Sequence, residues 1–232
     1  MKDIGLLHSL NKAMPMKSDS QIKKDVLEEL KWEPAVNASH IGVEVHEGVV
    51  TLVGRVANYA EKWHAEKASQ RVGGVRAIAV EIDVVLPGIT SRSDAEIAAS
   101  IAQTLEWMTN LPAKAIQVVV ENGWVTLSGV LDWDFQRRAA TRGIRYLLGV
   151  TGVSNQITLK PGTVSATTIK TSIESALARR AQHDASQIAV QVDGSAVTLS
   201  GFVADWSELN LAARCAWNTQ GVHTLENNLV VI

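Results

Sequence analysis

Cysteine is nearly absent from this 232-residue chain. The one thiol, Cys215, has no second cysteine to bridge with, so no internal disulfide staples the fold, which agrees with a reducing compartment. Long apolar runs are missing too. None approaches the roughly 20 residues that span a bilayer, and the first eight residues, Met1-Lys2-Asp3-Ile4-Gly5-Leu6-Leu7-His8, hold too short an apolar stretch for a signal-peptide core. The expectation is a cytoplasmic protein without a transmembrane segment, peripheral to a membrane if it meets one. No charge of one sign accumulates either: 22 Lys and Arg against 24 Asp and Glu leave a net charge of −2. That gives no electrostatic footprint for DNA or RNA, so nucleic acid is not an expected partner.

Reactive constellations are also missing. The histidines His8, His40, His46, His64, His183 and His223 pair with no His, Cys or carboxylate at a recognised metal spacing. Arg71-Val72-Gly73-Gly74-Val75 reads as a helix stop, not a phosphate loop. Cys215 falls where the other copies of the repeat described below carry Ala68 and Gly143, which marks a small core residue without a specified histidine partner. The reading is a protein that is not an enzyme and that uses no cofactor and no dedicated metal.

What the chain does have is internal repetition, which decides architecture before any local reading. Val50-Thr51-Leu52-Val53-Gly54 recurs as Val125-Thr126-Leu127-Ser128-Gly129 and as Val197-Thr198-Leu199-Ser200-Gly201, at offsets of 75 residues from Gly54 to Gly129 and 72 from Gly129 to Gly201. The same offsets carry Ser18, Ile22, Val26 and Leu30 onto Ser93, Ile97, Ile101 and Leu105, then onto Ser165, Ile169, Ile173 and Leu177. Gly74-Val75 falls on Gly149-Val150 and Gly221-Val222.

Each copy spells out the same element order. Apolar residues at i, i+4 and i+8 mark one face of a first helix. Ser18, Ser93 and Ser165 stand at its N-cap, and Gln21 and Glu96 are placed to complete capping boxes in copies one and two. Alternation at Ile41-Val43-Val45, Ile116-Val118-Val120 and Ile188-Val190-Val192 predicts a strand with one buried face. A hairpin turn follows, strongly signalled at Asn122-Gly123 and Asp193-Gly194 and more weakly at His46-Glu47-Gly48. The Val-Thr-Leu strand comes next, then a second helix from near Tyr59, Asp134 and Trp206 to the Gly-Val pair, then a closing strand. The fold class is α+β: three tandem αββαβ modules, each a three-stranded mixed sheet with two helices packed on one face. The boundaries are 16–86, 87–160 and 161–232, closed after copies one and two by Pro87-Gly88 and Pro161-Gly162, with 1–15 an extension expected to be disordered. Modules of this size bury only about 60% of their unfolded surface, so neighbouring copies are expected to support one another.

This order, the Gly-x-Val-Thr-Leu-x-Gly strand (Gly48 to Gly54 and Gly123 to Gly129) and the later Gly-Val pair resemble the BON domain, the family named for bacterial OsmY and nodulation proteins. The third copy departs from the pattern: Gly194 lies one position early, and Ser195 stands where Gly48 and Gly123 do. The resemblance implies the αββαβ fold, an OsmY-like role under osmotic stress as a scaffold or adaptor, and binding to phospholipid or protein partners. It brings no catalytic residues, and it makes Met16 a candidate start.

Cations give the sharpest candidate site. Lys67, Arg142 and Arg214 are equivalent positions on the second helix. Arg138, Arg142 and Arg145 form an i, i+4, i+7 stripe on copy two, able to engage the phosphates of an anionic phospholipid surface. Copy two alone is net positive, with seven Lys and Arg against six Asp and Glu over 87–160. The alternative function is small-ion binding: some BON-containing proteins are associated with potassium, and turn carbonyls with Glu121 or Asp193 would give hard oxygen ligands for potassium or calcium. Seven tryptophans outnumber the two tyrosines and two phenylalanines together. Trp32 and Trp107, equivalent residues at the end of the first helix, are expected to be buried between modules, with Arg179 in their place in copy three. Trp63, Trp133 and Trp206 near the second-helix start read as core or inter-module packing, with a lipid headgroup boundary as the alternative. Trp124 points outward by strand parity and needs cover from another module or a partner.

Overall fold

In the computed structural model, which describes residues 17–86, 92–160, 164–180 and 187–232, three serine hydroxyls start the first helices. Ser18 Oγ accepts the N–H of Gln21 at 3.3 Å and opens α1 (Asp19–Trp32). Ser93 does the same for Glu96 at the head of α3 (Asp94–Trp107). Ser165 Oγ accepts the N–H of Thr168 at 3.2 Å above α5 (Ala166–Arg180). The full capping box forms only in copy two, where the Glu96 carboxylate takes the Ser93 N–H at 2.8 Å. In copy one the Gln21 amide instead donates to Asp25 Oδ1 at 2.6 Å, a hydrogen bond strengthened by the carboxylate's charge. The proposed extension 1–15 and the joints at Pro87-Gly88 and Pro161-Gly162 lie outside the described residues.

Each first helix leads into a hairpin and a parallel return. Module 1 has β1 (Ile41–His46), β2 (Val49–Val56), α2 (Tyr59–Gln70) and β3 (Ala77–Val84). Module 2 has β4 (Ile116–Glu121), β5 (Trp124–Leu131), α4 (Asp134–Ile144) and β6 (Gly152–Leu159). Module 3 has β7 (Ile188–Asp193), β8 (Ala196–Val203), α6 (Trp206–Trp217) and β9 (Thr224–Val231). In every sheet the Val-Thr-Leu strand is central, antiparallel to the strand before it and parallel to the one after. Three tandem αββαβ modules are thus the architecture. Val50 and Leu52, Val125 and Leu127, and Val197 and Leu199 are fully buried against the helix residues Ile22, Val26 and Leu30 and their equivalents. No helix among the described residues is long and apolar enough to cross a membrane.

The glycine that ends the motif is a steric requirement. Gly54, Gly129 and Gly201 adopt φ of 145°, 139° and 123°, and a Cβ there would lie 2.1, 2.2 and 2.0 Å from the carbonyl oxygens of His40, Ala115 and Gln187. Only glycine lets the central strand pass so close to the start of its partner.

The hairpin turns differ in a coordinated way. In copies one and two both turn residues have positive φ, Glu47-Gly48 at 49° and 76° and Asn122-Gly123 at 52° and 75°, the geometry of a type I′ turn. A carboxylate from the first helix clamps each: Asp19 accepts the amides of Glu47 and Gly48 at 2.8 and 2.9 Å, and Asp94 those of Asn122 and Gly123 at the same distances. Copy three has Ala166 there and no clamp. Asp193 is the last residue of its strand, so the turn is Gly194-Ser195 and not Asp193-Gly194. Only Gly194 has positive φ, at 56°, as in a type II′ turn. The two turn amides, first Gly48 and then Glu47, hold the Asp19 carboxyl below its ordinary 3.8.

Two outcomes follow. Gly129→Ala should destabilise module 2 by about 2 kcal/mol or more in chemical denaturation, since strain and a backbone clash act together. Asp19→Asn should lower the melting temperature at neutral pH. A carboxyl whose folded pKa is depressed stabilises above the unfolded value and stops doing so as pH falls through the folded one. The difference between Asp19→Asn and the parent should therefore close in melts run toward strongly acid pH.

Candidate functional site

The second helices place their chemistry on one stripe. At equivalent positions it reads Tyr59, Trp63, Lys67, Gln70 on α2; Asp134, Arg138, Arg142, Arg145 along α4 and its C-cap; and Trp206, Asn210, Arg214, Trp217 on α6. The opposite face holds Ala65 and Ala68, Ala140, and Ala212 and Ala216 in the module cores, so this stripe is what each helix offers to the other modules.

Those offers meet in a directed cycle. Between modules 1 and 2, the Arg145 guanidinium stacks 3.5 Å from the centre of a Trp63 ring, and His64 Nε2 lies 3.2 Å from Tyr146 Oη. Tyr59 packs onto the module 2 core, and burial pushes its phenol above the ordinary range against the opposing pull of Arg145. Burial also lowers the Arg145 pKa, and its buried Nε has no hydrogen-bond partner, as expected for a cation held by a ring face. Glu33, 3.7 Å from His64 Nδ1, is held below the usual carboxylate range chiefly by its hydrogen bond from Arg71.

Between modules 2 and 3, Arg137 lies 4.2 Å over Trp217 and Arg138 Nη2 donates to Asn218 Oδ1 at 2.9 Å. Both arginines converge on Asp134, whose side chain is 1% exposed: Arg137 Nη2 at 2.5 Å from Oδ1 and Arg138 Nε at 2.6 Å from Oδ2. Between modules 3 and 1, Trp206 packs on the module 1 core and its Nε1–H donates to the Val75 carbonyl at 2.7 Å.

In each seam the N-terminal half of one second helix meets the C-terminal end of the next module's second helix or the chain just beyond it. Head-to-tail contacts of this kind close into a ring when the rotation permits, and here module 3 returns to module 1.

The predicted site residues therefore part company. Arg138 and Arg145 are engaged in seams, while Arg142 and Arg214 stay exposed. Lys67 is half-buried, donating to Gln70 Oε1 at 2.7 Å and lying 3.5 Å from Glu66. Glu121 and Asp193 are exposed at equivalent hairpin ends of different sheets. Among the described residues no three His, Cys, Asp or Glu side chains gather where they could hold a metal ion.

The tryptophans also divide. Trp63 and Trp206 serve seams as expected. Trp32 and Trp107 do not: they are 82% and 76% exposed, because modules meet through second helices and the first-helix ends face no neighbour. Trp124 lies over Gly152 on the adjacent strand, where a Cβ would sit 2.3 Å from the indole, so its own module covers part of it, and 50% of it stays exposed. Cys215 is buried in the module 3 core. The place of Trp217 on the stripe is recoverable from the offsets, while Arg137 lies beside the stripe, next to Arg138; the partnership of the two is not legible in the sequence.

Comparison with known proteins gives the BON domain family three times, over residues 18–85, 93–161 and 165–232. Osmotically-inducible protein Y of Escherichia coli (strain K12) is 28% identical over 158 residues, covering 66% of this chain and 78% of the relative. Among solved structures, CdsD, a structural protein of the type III secretion system of Chlamydia trachomatis, aligns over 90% of this chain and 91% of its own at 13% identity and a TM-score of 0.27. The C-terminal domain of CdsD aligns over the full length of both chains at 12% identity and a TM-score of 0.26. Scores that low bear on neither arrangement nor activity.

The seam stacking should be measurable. A double-mutant cycle of Trp63→Leu and Arg145→Gln in the intact chain should return a coupling of about 1 kcal/mol in chemical denaturation, the size of a partly desolvated cation–π contact.

Proposed function

The chain belongs to the BON domain family, and we propose from that premise that it is a non-catalytic docking protein for anionic phospholipid surfaces. The observation that carries this reading is the pair of exposed indoles, Trp32 and Trp107, at equivalent ends of α1 and α3. An indole with three quarters or more of its surface in water leaves a large apolar area uncovered, and the headgroup boundary of a membrane takes both its apolar body and its N–H. Trp32 and Trp107 hold equivalent positions at the ends of α1 and α3, with Arg179 at the same position near the end of α5. Indoles and a guanidinium suit an anionic interface, and joined weak contacts reinforce one another.

The exposed cations Arg142 and Arg214, with Lys67, supply further attraction to phosphate. Arg138 and Arg145 belong to the seams in this reading, and replacing them would loosen the ring before it touched lipid binding. Osmotic induction, recorded in the name of the Escherichia coli relative, extends here to a role under osmotic stress.

Flotation with vesicles containing phosphatidylglycerol tests the reading. Trp32→Ala with Trp107→Ala should weaken association at least about tenfold, since burying one aromatic side chain is worth about 1.5–3 kcal/mol. Arg142→Gln with Arg214→Gln should weaken it chiefly at low salt. Undiminished flotation of the double tryptophan variant would end the proposal.

A further inference from the structure

A cavity of about 300 Å³ opens at the seam of modules 2 and 3, lined by Trp133, Asp134, Phe135, Trp217 and Asn218. We propose that it binds a quaternary-ammonium zwitterion, a trimethylammonium group carrying a carboxylate or phosphate a few bonds away. The proposal does not rest on the docking face described above.

Aromatic rings around a cavity hold an alkylated ammonium through their negative faces; Arg137 already lies 4.2 Å over the Trp217 ring, so Trp133 and Phe135 are the rings left to receive one. Trp133 and Phe135 are 39% and 48% exposed, and Trp217 comes from the neighbouring module. Asp134 is all but removed from water. Its Oδ1 takes Arg137, while Oδ2 sits 2.6 Å from Arg138 Nε without an aligned hydrogen bond from any donor.

The charge balance narrows the ligand. Two guanidiniums against one carboxylate leave the site net positive, so a bare cation is repelled. A bare anion leaves the faces of Trp133 and Phe135 unused. A molecule with both charges satisfies both, its cation among the rings and its anion on Arg138, whose side chain is 46% exposed. Methylation matters because a primary ammonium brings three N–H donors that each need an acceptor. Asn218 Oδ1 already accepts from Arg138 at 2.9 Å, and Asp134 is already shared between two arginines. A trimethylammonium needs no acceptor.

The same chemistry occurs in free solutes and in choline lipids, and the experiment separates them. In the intact chain, the indole N–H signals of Trp133 and Trp217 are followed by NMR during titration with glycine betaine, phosphocholine, tetramethylammonium and 3,3-dimethylbutanoate, the uncharged-headed isostere of betaine. Saturable shifts are expected with at least one zwitterion, with tetramethylammonium and the isostere at least about tenfold weaker. Trp133→Leu with Phe135→Leu, at two exposed positions, should weaken zwitterion binding at least about tenfold at an unchanged melting temperature. Binding of glycine betaine assigns a free solute. Binding of phosphocholine and phosphatidylcholine vesicles without glycine betaine assigns a headgroup. Absence of a saturable shift with both zwitterions, or equal binding of the isostere, overturns the proposal.

Discussion

A guanidinium laid on an indole joins module 1 to module 2 and module 2 to module 3, with the partners exchanged between the two seams. In the first, the tryptophan stands on the N-terminal half of a second helix and the arginine at the C-terminal end of the next. In the second, arginines occupy the N-terminal half and the tryptophan the end. Position 145 is the equivalent of 217, and the stacking Arg137 is one residue from the equivalent of Trp63, so nearly the same place is used with its chemistry reversed. Such a contact tolerates exchange because its strength depends on a cation meeting a ring face, whichever helix brings which. Small modules gain from it. Each has its own core of about a dozen buried side chains, and borrowed residues, Trp206 on the first core and Tyr59 and Trp217 on the second, extend two of those cores across a boundary.

Closure of the ring decides which surfaces remain for partners. Once second helices are turned to one another, what stays outward is the far face of each sheet and the ends of the first helices. The sheet faces carry isolated apolar residues such as Val130, Phe202 and Val230, each about half exposed, which is ordinary for a soluble surface. The helix ends carry whole indoles, which is not. An exposed tryptophan at two equivalent positions and an arginine at the third is a division of labour among copies that packing alone does not call for.

Much of this architecture could be read from the residues. The caps at Ser18, Ser93 and Ser165, the alternating strands and the glycines at 54, 129 and 201 are local or repeat-encoded constraints, and each element stands where they put it. Readings that needed a neighbour fared differently. A large ring at a repeated position suggests cover, as at Trp32 and Trp107, yet the boundary forms elsewhere. Arg138 and Arg145 read as two of the three members of a cationic stripe, and nothing in the spacing discloses that an indole and an asparagine from other modules meet them. Helical phase says which face a residue occupies. It does not say what lies opposite, and for tandem modules that is fixed by the joints and by three separate seams acting together.

The third copy shows what the ring requires of each member and what it releases. It has lost the first-helix carboxylate, and its hairpin has shifted to a Gly194-Ser195 turn whose single positive φ falls on a glycine, so the clamp and the turn it stabilised have changed together. It has lost the tryptophan at the end of the first helix, which no seam uses. What it retains is an indole at each end of its second helix: Trp217 receives Arg137 from module 2, and Trp206 reaches the carbonyl of Val75 in module 1. The first continues the array and the second closes it. Module 1 needs no equivalent of Trp217, since Gln70 stands at that position and the returning seam is made five residues further on. The copies therefore diverge wherever the fold is self-sufficient and stay specialised where each must meet a different neighbour, which is how three nearly equivalent modules in one chain can present unequal surfaces to whatever they bind.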